Sequence, residues 1–389
     1  MEMITSTGAL QKACKVLEKS EFVTVDTEFL RETTYWPKLC LIQMACPGYD
    51  VIVDPLADGL DLSSFFELMT NKAVEKVFHA ARQDIEIIYN LAQVIPCPLF
   101  DTQVAAMVCG FGDSISYDQL VFRITGKKVD KSSRFTDWTM RPLSEKQINY
   151  AAADVTHLRD VYASLKANLE EQDRSSWVAE EMAILTSTGT YFTRPEDAWK
   201  RMKLRVRKPI ELAVMKELAA WREAEAQRRN VPRGRVIKDD SIYEIAAQQP
   251  QSVQALAKLR SIPKGFERSK TSDQLLKVVS RVMQIPKDDL PSVPRGKHSP
   301  EGSGAVVDLL KVLLKMTSER HAVAAKVIAT VDDLEQIACD DEADVAALKG
   351  WRRQLFGESA LAIKKGELAL KIKGKRVAIE PVVKESAPV

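Results

Sequence analysis

Two acids alternate along an otherwise apolar run: Asp26 and Glu28 lie within Glu21–Phe29 (EFVTVDTEF). Residues two apart in a strand share a face, so two carboxylates would project side by side. Burying such a pair without compensation is expensive, because like charges repel strongly in a low dielectric. Two solutions stay open: an exposed strand end with solvated acids, or a divalent cation. Asp84 follows the strand-like run Val77–Ala80 and opens a helix-like segment. Asp154 closes Tyr150-Ala-Ala-Ala-Asp154. Residues four apart on a helix are neighbours, and the three alanines leave room for close approach. A buried Asp flanked by Ala and Val needs a strong partner. Four such acids, Asp26, Glu28, Asp84 and Asp154, suit a hard cation such as Mg2+ or Mn2+, not zinc. Two such ions roughly 3.5–4 Å apart serve in-line phosphoryl displacement.

The elements that must position these groups follow from periodicity. Glu21–Phe29, Lys38–Ala45 and Asp50–Val53 read as strands, with Cys46-Pro47-Gly48 as a hairpin turn. Val77–Ala80 reads as a fourth strand, leading into a helix over about Gln83–Leu91. Pro96 and Pro98 break the chain before a helix starting near Asp101-Thr102. Ser144-Glu-Lys-Gln147 is a capping box, and the apolar spacing after it predicts a helix to about Glu170. Strands first, then alternating helix and strand, predict an α/β sheet with a hairpin over residues 1–170. From about Pro209 onward the pattern predicts helices and loops only. Pro291–Gly304 has linker composition, and the tail from Gly374 reads as frayed.

Other residues carry weaker signals. His79 would touch a phosphate or sit satisfied in the core. Asp101 reads as a helix N-cap. Gln43 and Arg141 are substrate contacts or packing and ion-pair residues, and Trp138 and Phe29 read as core. His157 lies past Asp154 and is not positioned as a fifth member of the set.

The chain has 389 residues and 45% apolar content, enough for two to four globular domains. No run of 18 apolar residues predicts a membrane span, and the N-terminus does not read as a secretory signal. The six cysteines form no C-x-x-C pair, and Cys40 and Cys97 sit in apolar company as small buried residues. Reduced thiols in a cytoplasmic protein are the expectation. The formal charge of +2 hides an asymmetry, with residues 1–170 at −6 and the remainder at +8. Residues 200–240 alone hold 13 basic and 6 acidic side chains. That is either a solvated helical surface or a polyanion-binding face.

D-x-E, an Asp after a strand, and Y-x-x-x-D in that order resemble the DEDD exonuclease superfamily in its tyrosine subtype. The runs Val25–Phe29, Phe78–Asp84 (FHAARQD), Phe100–Gln103 (FDTQ) and Asp137–Leu143 (DWTMRPL) are more specifically similar to ribonuclease D. The resemblance implies a ribonuclease H-like α/β exonuclease domain followed by all-α HRDC-type domains. It implies that Asp26, Glu28 and Asp154 bind the water-activating metal. Asp26 would bridge to a second ion supported by Asp84, with Tyr150 orienting the attacking water. Leu218–Asn230 and Val231–Asp240 (VPRGRVIKDD) resemble the HRDC domain, an all-helical nucleic-acid-binding module. Arg228, Arg229, Arg233, Arg235 and Lys238 would then be phosphate contacts, with a solvated charged face as the alternative.

The expected organisation is an exonuclease domain over 1–170, a connecting segment over 171–207 and an HRDC domain over 208–290. A linker over 291–304, a second, diverged HRDC-like domain over 305–373 and a flexible tail over 374–389 complete it. The two helical modules would close a ring with the nuclease domain. The expected function is a monomeric 3′→5′ exoribonuclease with two Mg2+ or Mn2+ ions. It would trim tRNA precursors and structured small RNAs with 3′ trailers. A 3′→5′ DNA exonuclease, or a non-catalytic RNA-binding scaffold, are the alternatives.

Overall fold

The computed structural model describes residues 2–294 and 303–382. The strand-like runs build one six-stranded sheet from β1 (Glu2–Ile4), β2 (Phe22–Leu30), β3 (Lys38–Cys46), β4 (Tyr49–Val53), β5 (Glu75–Phe78) and β6 (Leu99–Asp101). Their order is β1-β4-β3-β2-β5-β6, and only β3 runs against its neighbours. The turn between β3 and β4 uses Gly48 at φ +79°. The short β1 and β6 were not foreseen, since three residues carry no periodicity and pairing alone makes them strands.

Helices α1 (Thr7–Leu17), α2 (Ser63–Thr70), α3 (Arg82–Ala92), α4 (Thr102–Val108), α5 (Tyr117–Thr125), α6 (Glu145–Glu171) and α7 (Ser175–Leu185) surround the sheet. The capping box closes α6 as the spacing predicts. The Ser144 amide donates to Gln147 Oε1 at 3.0 Å, and the Gln147 amide donates back to Ser144 Oγ at 3.3 Å. Helix α6 lies across β2, β3 and β4. Thr24 Oγ1 fastens it there, 2.9 Å from the Val155 carbonyl and 3.0 Å from that of Ala45.

The first helical module, α8 (Pro209–Arg229), α9 (Arg233–Val236), α10 (Asp239–Gln248), α11 (Val253–Leu256) and α12 (Lys270–Val282), has its own core around Leu218, Ile242, Leu256 and Val279. It grips the β2–β3 loop. Asn230 Oδ1 accepts from the amides of Tyr35 and Trp36 at 3.1 and 2.9 Å, and the Tyr35 hydroxyl donates to buried Glu223. The last module, Ser303–Lys364, shares the nuclease domain's core. Trp177 and Trp351 stack with ring centroids 4.3 Å apart, and Arg352 pairs with Glu180 and Glu181. A Cβ at Gly110 would meet the Ala322 carbonyl at 2.5 Å, so this contact admits only glycine.

Two expectations are corrected. The chain does not end in helix and frayed tail: β7 (Leu368–Lys373) and β8 (Arg376–Pro381) form a hairpin turning at Gly374. Leu368, Leu370 and Ile379 pack on the large core, which holds in place a segment too polar to announce itself. Cys40 is buried, but Cys97 is exposed: its backbone carbonyl, not its thiol, points inward and accepts from Lys76 Nζ at 2.6 Å. Most of the linker over 291–304 and the last residues of the tail, 383–389, lie outside the described residues. Among the described residues no helix is long and apolar enough to cross a membrane.

Candidate active site

Asp26 stands opposite Gln43 and Glu28 opposite Leu41 in the β2–β3 register, on the face that α6 covers. A β-bulge between Glu28 and Phe29 ends this regular stretch. Ala151, Ala152 and Ala153 let the helix approach, and Asp154 descends onto the pair from above. Carboxylate oxygens of Asp26, Glu28 and Asp154 all lie within 4.8 Å of one another. Asp84, buried in the first turn of α3, stands behind them, and Thr27 Oγ1 donates to it at 2.5 Å. Three acids from β2 and α6 therefore meet near the C-terminal end of β2, with Asp84 of α3 behind them.

Their electrostatics fit a site built for cations. Burial first, and then the Asp154 charge, lifts Asp26 well above the ordinary carboxylate range. Burial, then Asp26, Asp154 and Asp84, pushes Glu28 up to about 10. Burial, then Asp26, raises Asp84, and burial takes Asp154 to about 7. Mutual repulsion of this kind is relieved by a positive charge placed among the oxygens. An all-oxygen donor set matches a hard divalent ion.

Tyr150 lies against Asp154, with its ring 6.0 Å from that of Trp138. Burial and the nearby acids raise its phenol pKa, so it stays protonated at neutral pH. Asp26, Tyr150 and Asp154 line a cleft of about 360 Å³ together with His79, Tyr117, Lys131 and Arg134. Neither Tyr117 nor Arg134 was singled out from sequence. Tyr117 donates to the Ala153 carbonyl at 2.8 Å, bracing the alanine turn, while Arg134 lowers the pKa of both Glu28 and Asp154. Arg134 lies in an irregular loop, where periodicity gives no signal.

Remaining sequence candidates divide. His79 Nδ1 lies 3.0 Å from Thr102 Oγ1, whose own proton goes to the Phe78 carbonyl. Nε2 finds no partner in good hydrogen-bond geometry among the described residues, and burial lowers the ring's pKa. Asp101 caps α4, accepting from Gln103 and Val104, and also accepts from Ala80 and Ala81 at 3.0 and 2.9 Å. Arg141 is not at the site: both ends of its guanidinium reach Asp54 at 2.6 Å, and carbonyls of Cys40, Trp138 and Met140 take its other protons. Arg228 is held bidentately by Glu225, and Arg229 lies 4.0 Å from the same acid. Arg233 pairs with Glu223 and covers the Tyr35 ring, so it builds the joint between modules. Arg235 and Lys238 are exposed and make no ion pair among the described residues.

Comparison with known proteins gives this geometry a family. Residues 1–170 match a 3′-5′ exonuclease family model, and residues 211–279 match the HRDC domain. A ribonuclease D of Nitrobacter hamburgensis is 58% identical over 98% of this chain and 100% of its own. One of Bartonella henselae is 51% identical over 95% of this chain and 91% of its own. The crystal structure of Escherichia coli RNase D, described as an exoribonuclease involved in structured RNA processing, superimposes with a TM-score of 0.84. It is 28% identical and covers 94% of this chain and 98% of its own. The exonuclease domain and the HRDC domain follow in the same order here, on a chain that its relatives match from end to end, and the chain belongs to the ribonuclease D family of exonucleolytic hydrolases.

Proposed function

We propose that this enzyme is a divalent-metal-dependent 3′→5′ exoribonuclease that releases nucleoside 5′-monophosphates one at a time from tRNA precursors and other structured RNAs with 3′ trailers. The observation that carries the reading is the convergence of Asp26, Glu28 and Asp154 within 4.8 Å, with Asp84 behind them and Tyr150 beside Asp154. Asp26, Glu28 and Asp154 would hold one Mg2+ or Mn2+ ion. Asp26 and Asp84 would hold a second, with Thr27 keeping the Asp84 carboxylate in place. The bound cations supply charge neutralisation at the phosphate and a lowered pKa for coordinated water. Tyr150, protonated at working pH, donates to the attacking oxygen and orients it. Arg134, on the cleft wall, offsets negative charge building on the phosphate. RNA is favoured over DNA by the relatives' common name and by the HRDC module.

The test is a labelled single strand, as RNA and as DNA, with Mg2+ or with EDTA. The reading expects stepwise 5′-monophosphate release from RNA that EDTA stops. Faster trimming of DNA would move the enzyme to the DNA exonucleases, and no mononucleotide with Mg2+ or with Mn2+ in its place would leave an RNA-binding scaffold.

A further inference from the structure

A second cleft, of about 350 Å³, lies where the nuclease domain meets the first helical module. It shares no lining residue with the cleft over the acids. Its walls come from the β2–β3 loop, the start of α3, the segment around Tyr191, Arg201 ahead of α8 and Arg233 in α9. Four arginines line it, and two are already neutralised: Arg31 by Glu86 at 2.7 and 2.9 Å, and Arg233 by Glu223. Arg82 and Arg201 make no ion pair among the described residues; Arg82 comes from α3 and Arg201 from the segment before α8, where its charge also helps hold Glu223 below its ordinary value. Two unpaired guanidiniums in one recess repel each other, and an anion between them removes that cost. Guanidinium forks match phosphate oxygens bidentately. Trp36, half-buried, lines the same space and offers stacking surface.

We infer that this cleft binds an internal phosphodiester of a single-stranded nucleic acid whose 3′ end lies at the acid cluster, through Arg82 and Arg201. The inference rests on the nuclease reading for the polarity of the strand. Position supports it. Arg82 precedes Asp84 by two residues in the first turn of α3, so one helix end contributes to both the recess and the acid cluster. A strand trimmed at one cleft would be held upstream at the other. The contact would hold backbone without reading sequence.

The test is fluorescence anisotropy on the full chain carrying Asp26→Asn, with a twelve-nucleotide and a three-nucleotide oligoadenylate. Arg201→Ala should weaken binding of the longer strand about tenfold. It should also flatten the slope of log K against log salt by about 0.7. The trimer, with two internal phosphodiesters against eleven, should lose less affinity than the longer strand, and Arg201→Lys should recover part of the loss. Arg82→Ala should behave likewise. Unchanged binding of the longer strand by Arg201→Ala overturns the proposal, as does an equal loss for the trimer. Sodium phosphate at matched ionic strength should not displace the longer strand; displacement would make the recess a site for the free anion instead. Failure of the nuclease reading shows separately, as no monophosphate release by the unsubstituted chain, and leaves the binding result standing.

Discussion

Thr27 Oγ1 donates to the Asp84 carboxylate at 2.5 Å, joining residues 57 positions apart. Thr27 lies between Asp26 and Glu28 but points to the other face of β2, so one strand supplies two acids on one side and the clamp for a third on the other. A hydrogen bond to a charged group contributes about 1.5–3 kcal/mol. Thr27→Val should therefore raise the Mg2+ concentration for half-maximal activity roughly tenfold, with Thr27→Ser near the parent. Metal titrations of activity measure this; an unchanged midpoint would show that Asp84 needs no clamp.

The acids themselves should behave more severely. Asp26→Asn and Asp154→Asn each remove a proposed metal ligand and a charge from the cluster, so turnover should fall by about a thousandfold or more. RNA affinity, set largely by cations elsewhere, should change little. Single-turnover rates and anisotropy on each variant separate the two effects, and near-parent turnover in either would contradict the site assignment.

Much of this site was legible because its spacing is local. Asp26 and Glu28 share a face by strand alternation, Tyr150 and Asp154 by helical geometry, and Ser144 with Gln147 marks where that helix begins. Asp101 was legible as a cap for the same reason, since its partners Gln103 and Val104 are next to it. What stayed hidden depends on long-range closure. Nothing near Tyr35 announces Glu223, 188 residues away, and nothing near Arg141 announces Asp54. Of the arginines read as RNA contacts from a basic stretch, Arg233 is committed to a joint with Glu223 and Tyr35, because a charge count does not say which cations already have partners.

Arg141 shows what such a joint is worth. Its guanidinium satisfies Asp54 and three backbone carbonyls, and both side chains are largely enclosed. Removing one partner of an enclosed pair costs about 3–5 kcal/mol. Arg141→Ala should lower the melting temperature by roughly 10 °C, at about 2–4 °C per kcal/mol, while leaving RNA affinity of the folded fraction unaltered. Calorimetry and binding below the transition check this, and a loss of affinity with stability intact would return Arg141 to the substrate contacts.

Tyr150→Phe separates orientation from charge. The phenol is held protonated by burial and the surrounding acids, so it acts as a donor and not as a base. Losing it should slow turnover about 10–100-fold, with the metal requirement within twofold of the parent. A pH–rate profile keeping its parental shape would support the donor role; loss of a limb above pH 8 would make the phenol a titrating base.

Metal and pH should be linked through the same acids. A carboxyl held above its ordinary value binds its proton more tightly in the folded chain than in the unfolded one. Without metal, folding stability is then full below the unfolded value and declines as pH rises towards the folded value. For Asp154 that window runs from 3.8 to about 7, and Glu28 extends it towards 10. In EDTA the melting temperature should fall from pH 5.5 to pH 8.5. Mg2+, which competes with those protons, should stabilise far more at pH 8.5 than at pH 5.5. Asp154→Asn removes one of the repelling charges, so in EDTA its melting curve should depend less on pH and exceed the parent's at pH 8.5. Equal stabilisation by Mg2+ at both pH values would show that the cation binds somewhere other than among these carboxylates.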